Sequence, residues 1–185
     1  MHALVIYESM FGNTHAVADA IAIGLSRTLT TQVRQAADID LGRLDADLVV
    51  IGAPTHAWSM PRASTRDGAK QDTVKHPEHH LEPIAMNTGV RELLARLPNQ
   101  GDRFGAAFDT RFDKPKAVTG SAARAIARKM RASQFVLLDR PNSFVVEGMD
   151  GPLSEGELVR ARAWGETLAS MARAHAASSS QHLAR

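Results

Sequence analysis

The sequence predicts an α/β protein with a doubly wound, five-stranded parallel sheet covered by helices on both faces. Its 185 residues suit one domain and are enough to bury a core. Continuous apolar runs such as Leu48–Ile51 are typical of strands buried on both faces, and segments with helical spacing of apolar residues alternate with them. Hydrophobic residues at 44% and charged residues at 23% argue against a disordered, collagen-like or membrane protein.

Cysteine content and charge exclude several classes of function. The chain has no cysteine, which removes disulfides, thiolate metal sites, iron–sulfur clusters and thiol catalysis, so redox chemistry would need a cofactor. Its net charge of +2 is too small to indicate a nucleic-acid partner. The first apolar run, Ala3–Ile6, is too short for a signal peptide, so we expect a cytoplasmic protein without membrane insertion.

The elements alternate along the chain, and each strand is followed by a segment with helical spacing of apolar residues. We expect one domain over 1–175, with a polar insertion at 62–83 that holds a short helix and irregular chain, and a disordered tail at 176–185. The expected strands are Ala3–Tyr7, Thr31–Ala36 near an edge, Leu48–Gly52, Phe104–Phe108, and a fifth in two pieces, Phe135–Leu138 and Phe144–Val146.

In such a sheet, ligands bind outside the carboxyl ends of the strands, where the winding direction reverses. This directs attention to the loops at 8–14, 54–61 and 109–116. The loop Glu8–Thr14 has no lysine or arginine but offers hydroxyls, a glycine, an asparagine and the amides of a helix N-terminus. These groups suit a phosphate monoester that is bound and never transferred. The alternative is a purely structural turn between strand and helix.

The segment Ser9-Met10-Phe11-Gly12-Asn13-Thr14 resembles the phosphate loop of the flavodoxin family, Ser/Thr-x-Thr-Gly-x-Thr. Three of the four signature positions match, and Phe11 replaces one hydroxyl. The resemblance continues with Gly52-Ala53-Pro54-Thr55 and with Gly151-Pro152-Leu153 before the last helix, so it covers nearly the whole chain. It implies the flavodoxin-like strand order 2-1-3-4-5 and FMN as the cofactor.

The resemblance also implies where FMN would bind. Trp58 and Phe112 are the candidates for stacking on the isoalloxazine ring, and the alternative for each is a plain surface or core position. No side chain is expected to be catalytic, because the flavin carries the chemistry. Arg111 is expected to act electrostatically on the reduced ring unless it points to solvent. The implied ligands are Ser9, Phe11, Gly12, Asn13 and Thr14 for the phosphate; Pro54, Thr55, His56, Ala57 and Trp58 on one side of the ring; and Asp109, Thr110, Arg111 and Phe112 on the other.

These residues favour an FMN-dependent redox flavoprotein that transfers electrons or hydride. Shuttle flavodoxins are similar to one another in being strongly acidic, so a chain at +2 points towards a reductase. An electron shuttle and a flavin-free binding or regulatory module remain the alternatives. A phosphorelay receiver would need an aspartate after the third strand, where Pro54 stands.

The expected partners follow from the predicted redox function. They are a redox protein or a small acceptor such as a quinone, with NAD(P)H as one candidate donor. A homo-oligomer is an option, because the family's quinone reductases are usually oligomers. No nucleic acid is expected.

Two further clusters are interpreted as structural. His76, His79 and His80 resemble a metal tract, but Pro77 prevents the helical spacing that zinc hydrolases use, so no metal is expected. The second cluster consists of four basic residues opposite the apolar side of one helix, which indicates a solvated face: Arg124, Arg128, Lys129 and Arg131.

Overall fold

The computed structural model of the chain describes residues 1–40, 44–56, 58–77, 79–82, 86, 88–101, 103–115 and 120–183. Within these ranges, six parallel strands form one sheet in the order β2-β1-β3-β4-β5, and β6 also pairs with β4. The strands are β1 His2–Tyr7, β2 Thr30–Gln35, β3 Leu48–Pro54, β4 Phe104–Phe112, β5 Val136–Leu137 and β6 Asn142–Val146. The helices are α1 Asn13–Leu25, α2 Ala63–Lys75, α3 Val90–Ala95, α4 Ala122–Ala132 and α5 Glu157–Leu183, with a 3₁₀ turn at Ala36–Asp38.

This arrangement confirms the predicted doubly wound sheet with strand order 2-1-3-4-5. The two pieces of the predicted fifth strand pair with different parts of β4: Phe104 lies opposite Val136, whereas Phe108 lies opposite Asn142. The interruption between β5 and β6 is therefore a change of position along one edge of the same neighbour.

Strand β4 is longer than its apolar run predicted. The sequence placed 109–112 in a loop, but these residues continue the strand, because β3 pairs with Asp109 and Thr110 on one side and β6 pairs with them on the other. Polar side chains are tolerated there because neighbouring elements supply hydrogen-bond partners, as the contacts of Asp109 with the residue after β3 and the start of α4 show below.

The two faces of the sheet carry separate apolar cores. On one face, Val5 of β1 packs with α1 and α5 around Ile21 and Leu168. The next residue, Ile6, points to the other face, where it packs with Ile126 of α4. Successive residues of β1 thus serve opposite cores, as its continuous apolar run predicted.

Helices α1 and α5 touch backbone to backbone. A methyl group on Gly24 would lie 2.1 Å from the carbonyl oxygen of Arg162, and one on Gly165 would lie 2.2 Å from that of Ile21. Helix α5 continues to Leu183, past Ala176, where the sequence predicted a disordered tail. No glycine or proline follows Gly165, so nothing in the sequence breaks the helix there.

Helix α2 occupies much of the predicted polar insertion at 62–83, of which residues 78 and 83 lie outside the described ranges. Only two of its residues are buried, Arg66 and Ala69. Within the described part of the chain, no helix is long and apolar enough to cross a membrane.

Candidate functional site

A cavity of about 500 Å³ opens at the carboxyl ends of β1, β3 and β4, where the winding direction of the sheet reverses. Most of the predicted site residues lie in its wall: Ser9, Phe11, Asn13, Thr14, Pro54, Thr55, His56, Thr110, Arg111 and Phe112. The remaining described lining residues come from the loop after β1, from α2 and from the chain after β6: Met10, Ser64, Thr65, Gly68, Ala69, Asp72, Val146, Gly148 and Met149.

The loop between β1 and α1 presents backbone donors at the start of a helix. Gly12 has a φ of 88°, in the left-handed region that glycine adopts without strain, and its amide donates to Ser9 Oγ at 3.1 Å. The amides of residues 13–15 then begin α1 and have no acceptor within that helix. The first turn of α1, all of it described, carries no acidic side chain. Thr14 Oγ1 lies 2.7 Å from Thr110 Oγ1 and ties this loop to β4.

The ends of β3 and β4 are joined by one buried carboxylate. Asp109 is fully buried, and its Oδ2 accepts hydrogen bonds from Thr55 Oγ1 at 3.0 Å, Ser121 Oγ at 2.7 Å and the amide of Ala123 at 2.8 Å. Thr55 Oγ1 in turn accepts from the amide of Ala122 at 2.9 Å. Asp109 therefore positions Thr55 and the start of α4 instead of facing the cavity.

Helix α2 forms a wall that the sequence prediction missed. Gly68 lines the cavity and faces open space, since a methyl group built on it would meet no atom within 4 Å. Ala69 packs on Met10 of the loop after β1, and Ser64 and Thr65 line the cavity. The Thr65 hydroxyl is hydrogen-bonded to the backbone of Arg62. The sequence signal for this wall was the spacing of small and hydroxyl side chains by three or four residues. The polarity of residues 62–83 instead made the segment resemble a solvated insertion.

Arg66 anchors α2 through a buried ion network. Its Nε donates to Glu8 Oε1 at 2.9 Å, and its Nη2 donates to Glu92 Oε2 at 2.6 Å. Glu8 Oε2 also accepts the amide of Val90 at 2.8 Å, so the network joins β1, α2 and the start of α3. Gly89 leaves room for it, since a methyl group there would lie 2.1 Å from Arg66 Nη2.

The two carboxylates of this network have pKa values that move in opposite directions. Burial raises the pKa of Glu8 above its ordinary value of 4.5, against the opposing effect of Arg66. Burial would also raise the pKa of Glu92, but hydrogen bonds from Arg66 and from backbone amides outweigh it and lower that pKa. The side chain of Glu92 is 38% exposed and that of Glu8 is 5% exposed, and burial disfavours the charged form of a carboxyl group.

The chain after β6 closes another side of the cavity. Asn13 Nδ2 donates to the carbonyl oxygen of Asp150 at 2.8 Å, which holds this segment against the start of α1. His79 Nδ1 lies 2.6 Å from Asp72 of α2, and its Nε2 lies 3.4 Å from Asp150. His79 thus links two walls, and no group of three or more potential metal ligands occurs among the described residues.

The two predicted stacking aromatics lie in different environments. Phe112 lines the cavity with 39% of its surface exposed, as does Met149 with 53%, so both lie at its mouth. Trp58 is 61% exposed and, with Gly12 and Asp109, is missing from the described lining. Ala57 lies outside the described residues.

His56 and Arg111 are the basic side chains that the sequence placed beside the ring, and both line the cavity. Burial lowers the pKa of His56, which favours the neutral imidazole. Arg111 is buried, and its Nη2 donates to the carbonyl oxygen of Lys114, so it does not extend into solvent.

Comparisons with known proteins agree with this topology. The chain matches no protein-family model, and no curated protein shows significant similarity to it. A flavodoxin from the domain Archaea superposes with a TM-score of 0.62 at 22% identity, over 94% of this chain and 99% of that one. A WrbA-like flavodoxin from Agrobacterium tumefaciens gives 0.59 at 17%, over 94% and 98%. Oxidised flavodoxin 1 from Bacillus cereus gives 0.63 at 16%, over 92% and 98%. The chain therefore has the flavodoxin-like fold.

Proposed function

We propose that the protein binds FMN in this cavity and acts as an FMN-dependent redox protein. The observation that carries the proposal is the lining of the cavity at the strand ends, which includes the start of α1 and the exposed Phe112 and Met149. FMN has a phosphate at one end, which suits a helix N-terminus, and a planar ring at the other, which suits the apolar mouth. The flavodoxin and WrbA-like neighbours support the same ligand.

The residues at the inner end fit the phosphate. The amides that begin α1 provide donors, and the hydroxyls of Ser9 and Thr14 lie in the same wall. Arg111 is the only arginine or lysine among the described lining residues, and it comes from β4 instead of this loop. Recognition by dipoles suits a phosphate that stays in place throughout the reaction.

The residues near the mouth fit the ring. Gly68 and Ala69 of α2 leave flat space on one side, and Phe112 is the described aromatic side chain available for stacking at the mouth. FMN, when bound, supplies electron or hydride transfer. The chain binds and orients it, keeps water from the inner part, and leaves one edge open to a second reactant.

Among redox roles, we favour a reductase over an electron shuttle. The near-neutral charge of the chain does not provide the acidic docking surface of shuttle flavodoxins, and the open mouth suits a small acceptor such as a quinone. NAD(P)H oxidation by the FMN-loaded protein, with and without a quinone, tests this choice. Turnover with quinone supports the reductase, whereas reduction only by a redox protein supports the shuttle.

Titration of FMN and riboflavin, followed by quenching of flavin fluorescence, tests the proposed cofactor site. FMN is expected to bind more tightly than riboflavin, because the loop at 9–14 recognises the phosphate. Thr14→Ala should weaken FMN by about 1–2 kcal/mol, the effect of a lost hydrogen bond to a charged group. Equal affinities for the two flavins would contradict the phosphate assignment, and no binding of either would favour a flavin-free module.

A further inference from the structure

Helix α4 carries a basic stripe on its solvent side. Arg124, Arg128 and Arg131 are spaced by four and three residues, which places them on one side of the helix over about 10 Å. Lys129 is also exposed, but it lies about 100° around the helix from Arg128, on the flank of this side. The opposite side, with Ile126 and Met130, is buried. The 11-residue helix, which has no acidic residue, therefore carries three cations on one face and a fourth on its flank.

The fold itself does not account for this stripe. None of the four cations forms an ion pair with any residue that the structure describes, whereas Arg160 and Arg162 of α5 pair with Glu157 and Glu166. Cations spaced by three or four residues repel one another. Lys129 and Arg131 at least benefit from the C-terminal end of the helix dipole, but Arg124 lies in the first turn, where a cation is disfavoured. An anion from outside the chain would offset these costs.

The stripe begins next to the cavity. Thr55, which lines the cavity, accepts the amide of Ala122 at the start of α4. Just before the helix, Gly120 forms a β-bridge with Trp58. A methyl group on Gly120 would lie 2.0 Å from the carbonyl oxygen of Trp58, so the two segments are in direct contact.

Trp58 is held exposed beside this helix start. Its φ of 76° lies in the left-handed region, which is strained for a bulky residue and is typical of functional positions. Arg91 fixes the following chain, donating from Nη2 to the carbonyl oxygen of Met60 at 2.5 Å and from Nε to that of Pro61 at 2.9 Å. An exposed tryptophan at the start of an arginine-rich helix has the composition of an interaction hot spot.

We propose that Trp58 and the basic stripe, together the α4 patch, form a docking surface for an acidic protein that exchanges electrons at the cavity mouth. The acidic surface supplies the missing anions, and Trp58 supplies the apolar contact. The short stripe and its single tryptophan favour a protein over a nucleic acid, whose binding uses longer basic tracks and stacked aromatics. The electron exchange rests on the proposed FMN function, but the docking does not.

The test uses the full-length protein and a purified acidic [2Fe–2S] ferredoxin as the probe, with binding measured by calorimetry at about 20 mM and about 300 mM salt. The double variant Arg124→Glu/Arg128→Glu should bind the ferredoxin at least about tenfold more weakly than wild type at low salt. The control Arg140→Glu/Arg173→Glu makes the same change of charge at exposed positions outside the patch and should bind like wild type. Because Arg124→Glu places an acid in the first helical turn, the thermal stability should not fall.

Trp58→Ala, measured on FMN-free protein, should weaken the same binding at least about fivefold by removing the apolar contact. The proposal would be overturned if wild type did not bind the ferredoxin, or if both double variants lost the same amount of affinity. It would also be overturned if wild type bound duplex DNA or anionic phosphatidylserine vesicles more tightly than the ferredoxin. FMN affinity is measured separately for each protein. Docking without FMN binding would refute the proposed function alone, and FMN binding without docking would refute the α4 patch alone.

Discussion

Two walls of the cavity, helix α2 and the ends of β3 and β4, are each held by one buried charged side chain, but the partners of these two side chains differ. Arg66 holds the α2 wall through two carboxylates, Glu8 and Glu92, whereas Asp109 holds the wall of strand ends through hydroxyls and an amide. Helix α2 buries only Arg66 and one alanine, while α4, beside Asp109, buries six residues. The α2 wall thus depends on ion pairing. The wall at the ends of β3 and β4, here the strand-end wall, depends on apolar packing completed by hydrogen bonds from neutral donors to one carboxylate.

The largest effect is expected for Arg66→Met. The change leaves the buried Glu8 without its cation, which typically costs about 3–5 kcal/mol of unfolding free energy. Urea denaturation measures it, and Arg62→Met, at an exposed position on the edge of the same helix, should change stability by less than about 0.5 kcal/mol. If the two variants were equally stable, α2 would not depend on the ion network.

Asp109→Asn should be milder, at about 1.5–3 kcal/mol, because the neutral amide keeps the shape and loses charge-assisted hydrogen bonds to Thr55, Ser121 and Ala123. The same denaturation experiment applies, with Asp113→Asn at an exposed site as the control. A loss greater than that of Arg66→Met would reverse the comparison between the two walls.

Gly68→Leu tests whether the α2 wall contacts the ligand. Leucine fills open space there, so FMN affinity should fall by at least about 1.4 kcal/mol, a factor of ten. The protein itself should become no less stable, because leucine favours a helix over glycine by about 0.5–1 kcal/mol. Asp67→Leu, at the exposed neighbouring position, is the matched control and should leave FMN affinity unchanged.

Arg111→Ala tests the electrostatics of the strand-end wall. A guanidinium in the cavity wall stabilises the negative charge that reduction adds to a nearby flavin, so its loss should lower the two-electron potential of bound FMN. A change of about 1.4 kcal/mol corresponds to about 30 mV in spectroelectrochemical titration. Lys114→Ala, at an exposed position, should have little effect. A potential equal to or above that of wild type would remove Arg111 from this role.

The smallest effect concerns the pH dependence of the α2 wall. Because the folded pKa of Glu92 lies below its ordinary value of 4.5, its stabilising contribution is present above pH 4.5 and is lost as the pH falls through the folded pKa. The difference in stability between wild type and Glu92→Gln, below about 1 kcal/mol for a partly exposed pair, should therefore shrink on acidification. Glu155→Gln serves as the exposed control, and a difference that is constant with pH would contradict the ionic account of this wall.

The predicted anion-binding loop lines the cavity as expected from residues 9–14, except Gly12, which shapes the turn. The prediction for 109–112 was less complete, since Asp109 faces inward while Arg111 and Phe112 reach the cavity. Adjacent residues of one strand point to opposite sides, and apolar patterning does not resolve this where the strand turns polar. The stacking role of Trp58 stays a prediction. Its left-handed backbone is a property of the folded loop, which the apolar pattern of the sequence does not indicate.

The sequence by itself determined the alternation of strands and helices, the parallel sheet and the glycine turn between β1 and α1, because apolar periodicity and turn chemistry act between near neighbours in the chain. Only the tertiary structure decided that a polar segment becomes a wall of the cavity. Arg66 meets Glu8 across 58 positions and Glu92 across 26, and such contacts leave no periodic signal. A buried arginine and a solvated one are the same letter, and burial with its partners is decided when the distant elements pack together.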